Sequence, residues 1–232
     1  MNIDREKQIL EILLKEKRAT VQQLAASLYI SEPSVRRDLA SLEKQNLIKR
    51  VHGGAVIEET ALSKNKIPFL LREYEQSSAK VQIAQKAIEL VNDNDVVFLD
   101  ASTSCYYLIP FLATKRNLTV ITNGVKALSK LAEYDITTFS TGGALVNSCL
   151  VLVGEEACST VESFHADVAF FSCRGVSDDG YLTDIAREEN IVRKRMIQNA
   201  KRSYLLCATE KFGKTYYHNL CHKDAITGII HE

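Results

Sequence analysis

The chain has 232 residues, of which 46% are hydrophobic and 25% charged, and its formal net charge is zero. This is the composition of an ordinary globular protein, and the even balance removes any whole-molecule charge argument for a nucleic-acid partner. No apolar run comes near the roughly 20 residues that span a bilayer, and the N-terminus is charged from Asp4 onward where a secretory signal would be apolar. A cytoplasmic protein with no membrane partner is expected. The six cysteines (Cys105, Cys149, Cys158, Cys173, Cys207 and Cys221) contain no C-x-x-C pair and read as buried reduced thiols. His218, Cys221 and His222 form the one Cys/His cluster, but it lacks a fourth ligand, so neither metal nor cofactor is expected. Charge is unevenly placed, since residues 1–54 hold ten Lys/Arg and seven acids, net +3, leaving −3 for the remainder. That asymmetry agrees with an N-terminal module for a polyanion.

Residues 4–16 read as an amphipathic helix with Ile9, Leu10, Ile12, Leu13 and Leu14 inward. Ala19-Thr20 breaks it, and Thr20 can cap a second helix from Val21 to about Leu28. After the short turn Tyr29-Ile30, Ser31 is a natural N-cap for a third helix that Glu32 and Pro33 open. At about 100° per residue, Val35, Leu39 and Leu42 share one face. Arg37 and Lys44 point away from it, with Ser34 and Ser41 beside them and Arg36 at the flank. Two short helices joined by a tight turn, the second bearing outward arginines, form a helix-turn-helix layout. Asn46 can end the third helix. Leu47 to Val51 then alternates as a strand, His52-Gly53-Gly54 turns, and Ala55 to Ile57 returns. This hairpin is a wing that brings Lys49, Arg50 and His52 near phosphates. Arg37, farthest from the core, is the candidate base reader and Arg36 a phosphate contact.

The run Ser31-x-x-Ser34-Val35-Arg36-Arg37-Asp38-Leu39, then Leu42-Glu43, then His52-Gly53-Gly54-Ala55, resembles the DNA-binding head of the DeoR family of bacterial transcriptional regulators. Ser34 stands where that family more often has threonine, which keeps the hydroxyl. Domains are therefore expected at 1–57 (winged helix-turn-helix) and 77–232, with a polar linker at 58–76 that begins to pack by Phe69-Leu70-Leu71.

From Ser77 the pattern changes. A helix runs from Ser77 or Ser78 to Val91. Apolar strands at 95–99, 118–122, 136–140, 150–153, 168–172, 204–207 and 226–230 then alternate with helices at 104–112, 124–132, from Glu155, and at 188–200. Such alternation predicts an α/β domain with a mainly parallel sheet covered on both faces. Sites in these sheets lie beyond the carboxyl ends of the strands. There the sequence places Asp100-Ala101-Ser102-Thr103-Ser104 leading into a helix N-terminus, a ready anion site. It also places Thr122-Asn123, Thr141-Gly142-Gly143, Arg174-Gly175 and Lys211 at strand ends. Hydroxyls, glycines and two cations on one rim suit a phosphate with a polyol attached. Each residue alone could equally be a cap or a turn.

This region resembles the DeoR-family sensor domain, which is similar in fold to ribose-5-phosphate isomerase, through Asp100 to Ser104, Val120 to Asn123, Thr141 to Gly143, Asp167 to Phe170, Glu188-Glu189 with Arg193-Lys194-x-Met196, and Lys211 to Gly213. Departures are Ser102 for glycine, Ala208 for aspartate, and Ile230-His231-Glu232 for Ile-Thr-Asp. The resemblance implies a repressor of a sugar catabolic operon, bound to double-stranded operator DNA and controlled by a phosphorylated sugar or polyol. Ser102, Thr103 and Ser104 would hold the phosphate with Lys211 or Arg174. Asp100, Asp179, Glu188 or Glu189 would accept sugar hydroxyls or orient those cations. One recognition helix reads only a few base pairs, so a homo-oligomer, dimer or tetramer, is expected. Two alternatives stand beside this reading. One is a DNA-binding protein with a degenerate, ligand-free sensor. The other is a sugar-phosphate isomerase using Glu188 or Glu189 as base with Lys211.

Overall fold

The computed structural model describes residues 3–45, 47–57 and 69–232. Two units partition the chain, Met1–Glu75 and Gln76–Glu232.

The N-terminal unit contains α1 (Ile3–Glu16), β1 (Arg18–Thr20), α2 (Val21–Leu28), α3 (Glu32–Lys44), β2 (Ile48–Val51), β3 (Gly54–Ile57) and α4 (Phe69–Tyr74). Its core is the stripe expected from spacing: Ile9, Leu10, Leu13, Leu24, Val35, Leu39, Leu42 and Ile48 are all at most 2% exposed. Thr20 starts α2 through a reciprocal cap, its Oγ accepting from Gln23 N at 3.1 Å while Gln23 Oε1 accepts from Thr20 N at 2.8 Å. Such a cap contributes about 1 kcal/mol. Ser31 occupies the N-cap position of α3 but makes no side-chain cap bond. Its hydroxyl lies 3.0 Å from that of Ser34 instead.

Two features differ from the sequence reading. Ala19-Thr20 does more than break a helix: Lys17 adopts φ 64°, and β1 pairs antiparallel with β3, giving a three-stranded wing in the order β1-β3-β2. Gly54 permits this approach, because a Cβ there would lie 2.3 Å from the Ala19 carbonyl oxygen. The second difference is in the expected linker. Packing begins at Phe69 and Leu71 as expected, Leu71 being fully buried in the core of the N-terminal unit, but this end of the segment is helical (α4) where a linker was expected. Asn46, expected to end α3, and residues 58–68 of the expected linker lie outside the described residues.

The C-terminal unit contains α5 (Ser77–Ala87), β4 (Val96–Leu99), α6 (Thr103–Leu112), β5 (Thr119–Thr122), α7 (Val125–Glu133), β6 (Thr137–Ser140), β7 (Ala144–Val146), β8 (Val151–Val153) and α8 (Glu155–Glu162). It continues with β9 (Ala166–Phe171), β10 (Gly175–Val176), β11 (Tyr181–Asp184), α9 (Arg187–Gln198), β12 (Ala200–Leu206), β13 (His218–His222) and β14 (Gly228–Ile230). Six strands form one parallel sheet in the order β14-β12-β9-β4-β5-β6. Alternate residues feed two cores, as a pleated strand buried on both faces requires. Val97, Leu99, Val120 and Phe170 pack with Ile83, Leu108 and Leu112 of α5 and α6. Phe98, Ile121 and Ala169 pack with Val161 of α8 and Val192 and Met196 of α9. A second, antiparallel sheet, β10-β11-β13, and strand β7, which pairs with the expected strand β8 as a hairpin, add to the expected strands.

Candidate DNA interface and sensor site

In the N-terminal unit, α3 presents Arg36, Arg37 and Lys44 as exposed residues opposite its buried stripe, with Ser31 also exposed and Ser34 and Ser41 half-buried. Arg36 is held by Glu32 one turn earlier (3.1 Å), whereas no ion pair forms at Arg37 among the described residues. Asp38 does not face outward. It is 4% exposed, and its Oδ1 accepts from Arg5 Nη2 at 2.8 Å, fixing α3 against α1. On the wing, Lys49 and His52 are exposed. Arg50 is tied to α3, its backbone N–H donating to Glu43 Oε1 at 2.9 Å. The unit therefore offers one helix face and one hairpin edge carrying cations, the arrangement that lets a helix enter a major groove while a ribbon meets phosphates.

In the C-terminal unit, the carboxyl ends of β4, β9 and β12 bring a polar network together. Asp100, just past β4, is 1% exposed. Its Oδ1 accepts from Ser102 N at 2.8 Å, and its Oδ2 from Arg193 Nε at 2.8 Å and Ser172 N at 3.3 Å. Arg193, on α9, also donates to Asp184 Oδ2 (2.9 Å), Glu189 Oε2 (2.9 Å) and Asn190 Oδ1 (3.0 Å). Burial alone would raise the Asp100 pKa, but the Arg193 charge and the Ser102 hydrogen bonds hold it below the usual carboxylate range. Burial likewise opposes the Arg193 charge, and the carboxylates of Asp100, Asp184 and Glu189 more than offset it.

From Ser172 the network continues to Lys211, whose Nζ donates to Ser172 Oγ at 3.0 Å and to the Cys173 carbonyl at 2.8 Å. Both partners are neutral. No carboxylate lies within 4.0 Å of this ammonium among the described residues. Arg174 sits 3.6 Å from Asp184. Beside Asp100, Ser102 caps α6 by accepting from Cys105 N at 3.2 Å, and Thr103 and Ser104 are buried in the first turn. The cap explains a serine at position 102 without reference to a ligand. Asn123 follows β5 as Asp100 follows β4, each one residue past the Leu99–Thr122 pair. Its Nδ2 donates to the Leu152 carbonyl, while its buried Oδ1 has no hydrogen-bond partner among the described residues. Gly142 is open, with nothing within 4 Å of a hypothetical Cβ among the described residues. Gly143 is needed for packing, because a Cβ would meet the Val153 carbonyl at 2.4 Å.

Residues 75–232 match the model of the DeoR C-terminal sensor domain, and residues 5–61 that of the DeoR-like helix-turn-helix domain. The chain belongs to the DeoR family. Relatives include the HTH-type transcriptional regulator YulB of Bacillus subtilis, 31% identical over 98% of this chain and 87% of that one. The transcriptional repressor GlcR of B. subtilis is 31% identical (96% and 85% covered). The L-fucose operon activator of Escherichia coli is 29% identical (99% and 95% covered). These relatives are regulators, and this chain is a DNA-binding transcriptional regulator rather than the isomerase considered from sequence. Among solved structures, a Pyrococcus horikoshii translation initiation factor eIF-2B shares the fold at 17% identity and TM-score 0.50, over 75% of this chain and 66% of that one. Ribose 5-phosphate isomerase A of Methanocaldococcus jannaschii aligns at 17% identity and TM-score 0.46, the chain spanning 55% of its length.

Not every sensor residue named from the DeoR resemblance reaches the rim network. Asp179 lies in the β10–β11 turn, where it accepts from the Ser177 hydroxyl. Glu188 is exposed on the first turn of α9. Glu189 and Asp100 are occupied by Arg193, which leaves neither free as a base. His222 bonds to the Asp179 carbonyl and to Asp224, and among the described residues no His/Cys/Asp/Glu group is arranged for a metal. Sequence reasoning missed Ser172, Asp184 and Arg193 as site residues. Their signal was polar side chains on buried faces: Glu189, Asn190 and Arg193 share a face of α9 with Val192 and Met196.

Proposed function

We propose that this DeoR-family regulator represses a sugar catabolic operon in the cytoplasm and that a phosphorylated sugar or polyol binds its C-terminal unit to change its operator affinity. The observation that carries the effector reading is Lys211: a tethered ammonium with two neutral partners and no carboxylate within 4.0 Å among the described residues. It is linked by contiguous hydrogen bonds to the loop that opens α6. A cation and a helix N-terminus on one network favour a bound anion. Open Gly142 and the unpartnered oxygen of Asn123, which follow β6 and β5 on the same carboxyl edge of the sheet, and half-buried Arg174 support an effector along this rim. In this reading Asp100 orients Arg193 and the loop rather than touching the sugar, while Gly143 and Ser102 shape the backbone. Ser31, Ser34, Arg36, Arg37, Ser41 and Lys44 on α3, with Lys49, Arg50 and His52 on the wing, make the DNA contacts. Sugar control is supported by a relative named for the L-fucose operon and repression by one named a repressor.

Thermal denaturation of the full chain with ribose 5-phosphate, glucose 6-phosphate, fructose 1-phosphate and glucitol 6-phosphate tests the effector site. One member at about a hundredfold excess over its Kd should stabilise the chain by about 2.7 kcal/mol, and Lys211→Met should abolish the shift without unfolding the protein. If no member raises the melting temperature above the effect of inorganic phosphate, the degenerate-sensor alternative replaces this one.

A further inference from the structure

Helix α2 ends in a Schellman motif: Ile30 N–H donates to the Ala25 carbonyl at 3.0 Å and Tyr29 N–H to that of Ala26 at 3.4 Å. The left-handed position of this cap usually holds glycine, because a Cβ there crowds the neighbouring carbonyl. Here it is held by Tyr29, at φ 54° and ψ 43°. Internal packing does not account for a tyrosine at that point, since it is 96% exposed, more than any other large hydrophobic residue among those described. The other exposed left-handed side chains are Lys17, Gln76, Asn94, Asn117 and Asp135, all polar, and Leu150 is half-buried. Tyr29 alone among the described residues combines this backbone with a bulky, exposed ring. A strained backbone carrying a side chain that packs on nothing points to a use outside the chain.

Its position names the partner. Tyr29 precedes Ser31, the N-cap of α3, at the end of the helix that bears exposed Arg37. In a helix-turn-helix head the N-terminal part of the second helix reads the major groove while the first crosses the backbone, so the turn between them faces the flanking phosphates. Tyrosine hydroxyls are among the donors that make such contacts. Resting on the DNA-binding reading of the N-terminal unit, we infer that Tyr29 is a DNA-backbone contact whose O–H donates to a phosphate oxygen beside the groove that α3 enters.

The test is fluorescence anisotropy of the full chain on a random-sequence duplex, comparing wild type with Tyr29→Phe, Tyr29→Gly and Arg37→Ala over a salt series. Tyr29→Phe should weaken binding about three- to tenfold, the net worth of one hydrogen bond. The slope of log Kd against log salt should stay unchanged, because a neutral phenol displaces no counterion. Tyr29→Gly should bind at least as weakly while melting higher than wild type, since glycine relieves the left-handed strain, so its loss of affinity would not reflect misfolding. Wild-type affinity in both Tyr29 variants would overturn the contact while leaving the head's function intact. A wild-type chain that binds no duplex, with Arg37→Ala indistinguishable from it, would overturn the DNA-binding reading as well.

Discussion

Arg193 holds four elements of the C-terminal unit together, because its guanidinium reaches Asp100 after β4, Asp184 on β11 and Glu189 on its own helix, α9, and Asp100 in turn fixes the start of α6. All of these side chains are at most 10% exposed. Removing the cation would leave carboxylates buried without compensation, so Arg193→Met should destabilise the unit by about 3–5 kcal/mol in chemical denaturation. A loss below about 1 kcal/mol would show that solvent reaches the cluster. The same network sets an acid limb. Asp100 is held below its ordinary pKa in the folded state, so its contribution is complete above the unfolded value of about 4. It is lost as pH falls below that value and through the folded one. Unfolding free energy should therefore drop on acidification below about pH 4, and Asp100→Asn should be less stable at neutral pH yet lose less on acidification. A parallel pH dependence in both proteins would assign the acid limb to other carboxylates.

Among the elements, the loop after β6 shows how close packing and an open rim can share two adjacent glycines. Gly142 and Gly143 both have positive φ, 64° and 99°, but only a Cβ on Gly143 would strike backbone, at 2.4 Å from the Val153 oxygen. Gly142→Ala should cost about 1–2 kcal/mol from the left-handed backbone alone. Gly143→Ala should cost more, because β8 must also move, and equal losses in denaturant titrations would contradict this division. Legibility in the sequence divides along similar lines. The helices of both units and the six parallel strands were readable because each is set by its own apolar pattern, such as Val35/Leu39/Leu42 or Val97 to Leu99. The short strands β1, β7, β10, β11 and β13 were not, since two to five residues of mixed polarity carry no period and are defined only by the strands they pair with, nearby for β7 and β10 and distant for β1 and β13. The site followed the same rule. Lys211, Asp100 and Asn123 were readable as strand-end residues, whereas Arg193 lies inside a helix, away from any strand end, and was not named as a site residue. Its main partner lies 93 residues away in sequence.

For the whole molecule, a regulator must convert effector binding into a change at DNA, which requires the ligand to favour one state over another. A single α3 spans only a few base pairs, so an oligomer on repeated half-sites is expected. Light scattering at working concentration should give at least twice the chain mass of 26.0 kDa. A monomer that still binds one full operator tightly would rule this out. The most direct measurement is an operator titration. DNA fragments enriched by the full chain from its own genome are titrated against wild type and Lys211→Met, with and without the sugar phosphate that raises the melting temperature. The expected result is at least a tenfold change in the wild-type Kd for the enriched operator, with no such change in Lys211→Met. An operator Kd that is the same with and without the sugar phosphate would contradict the proposal that this rim governs DNA binding.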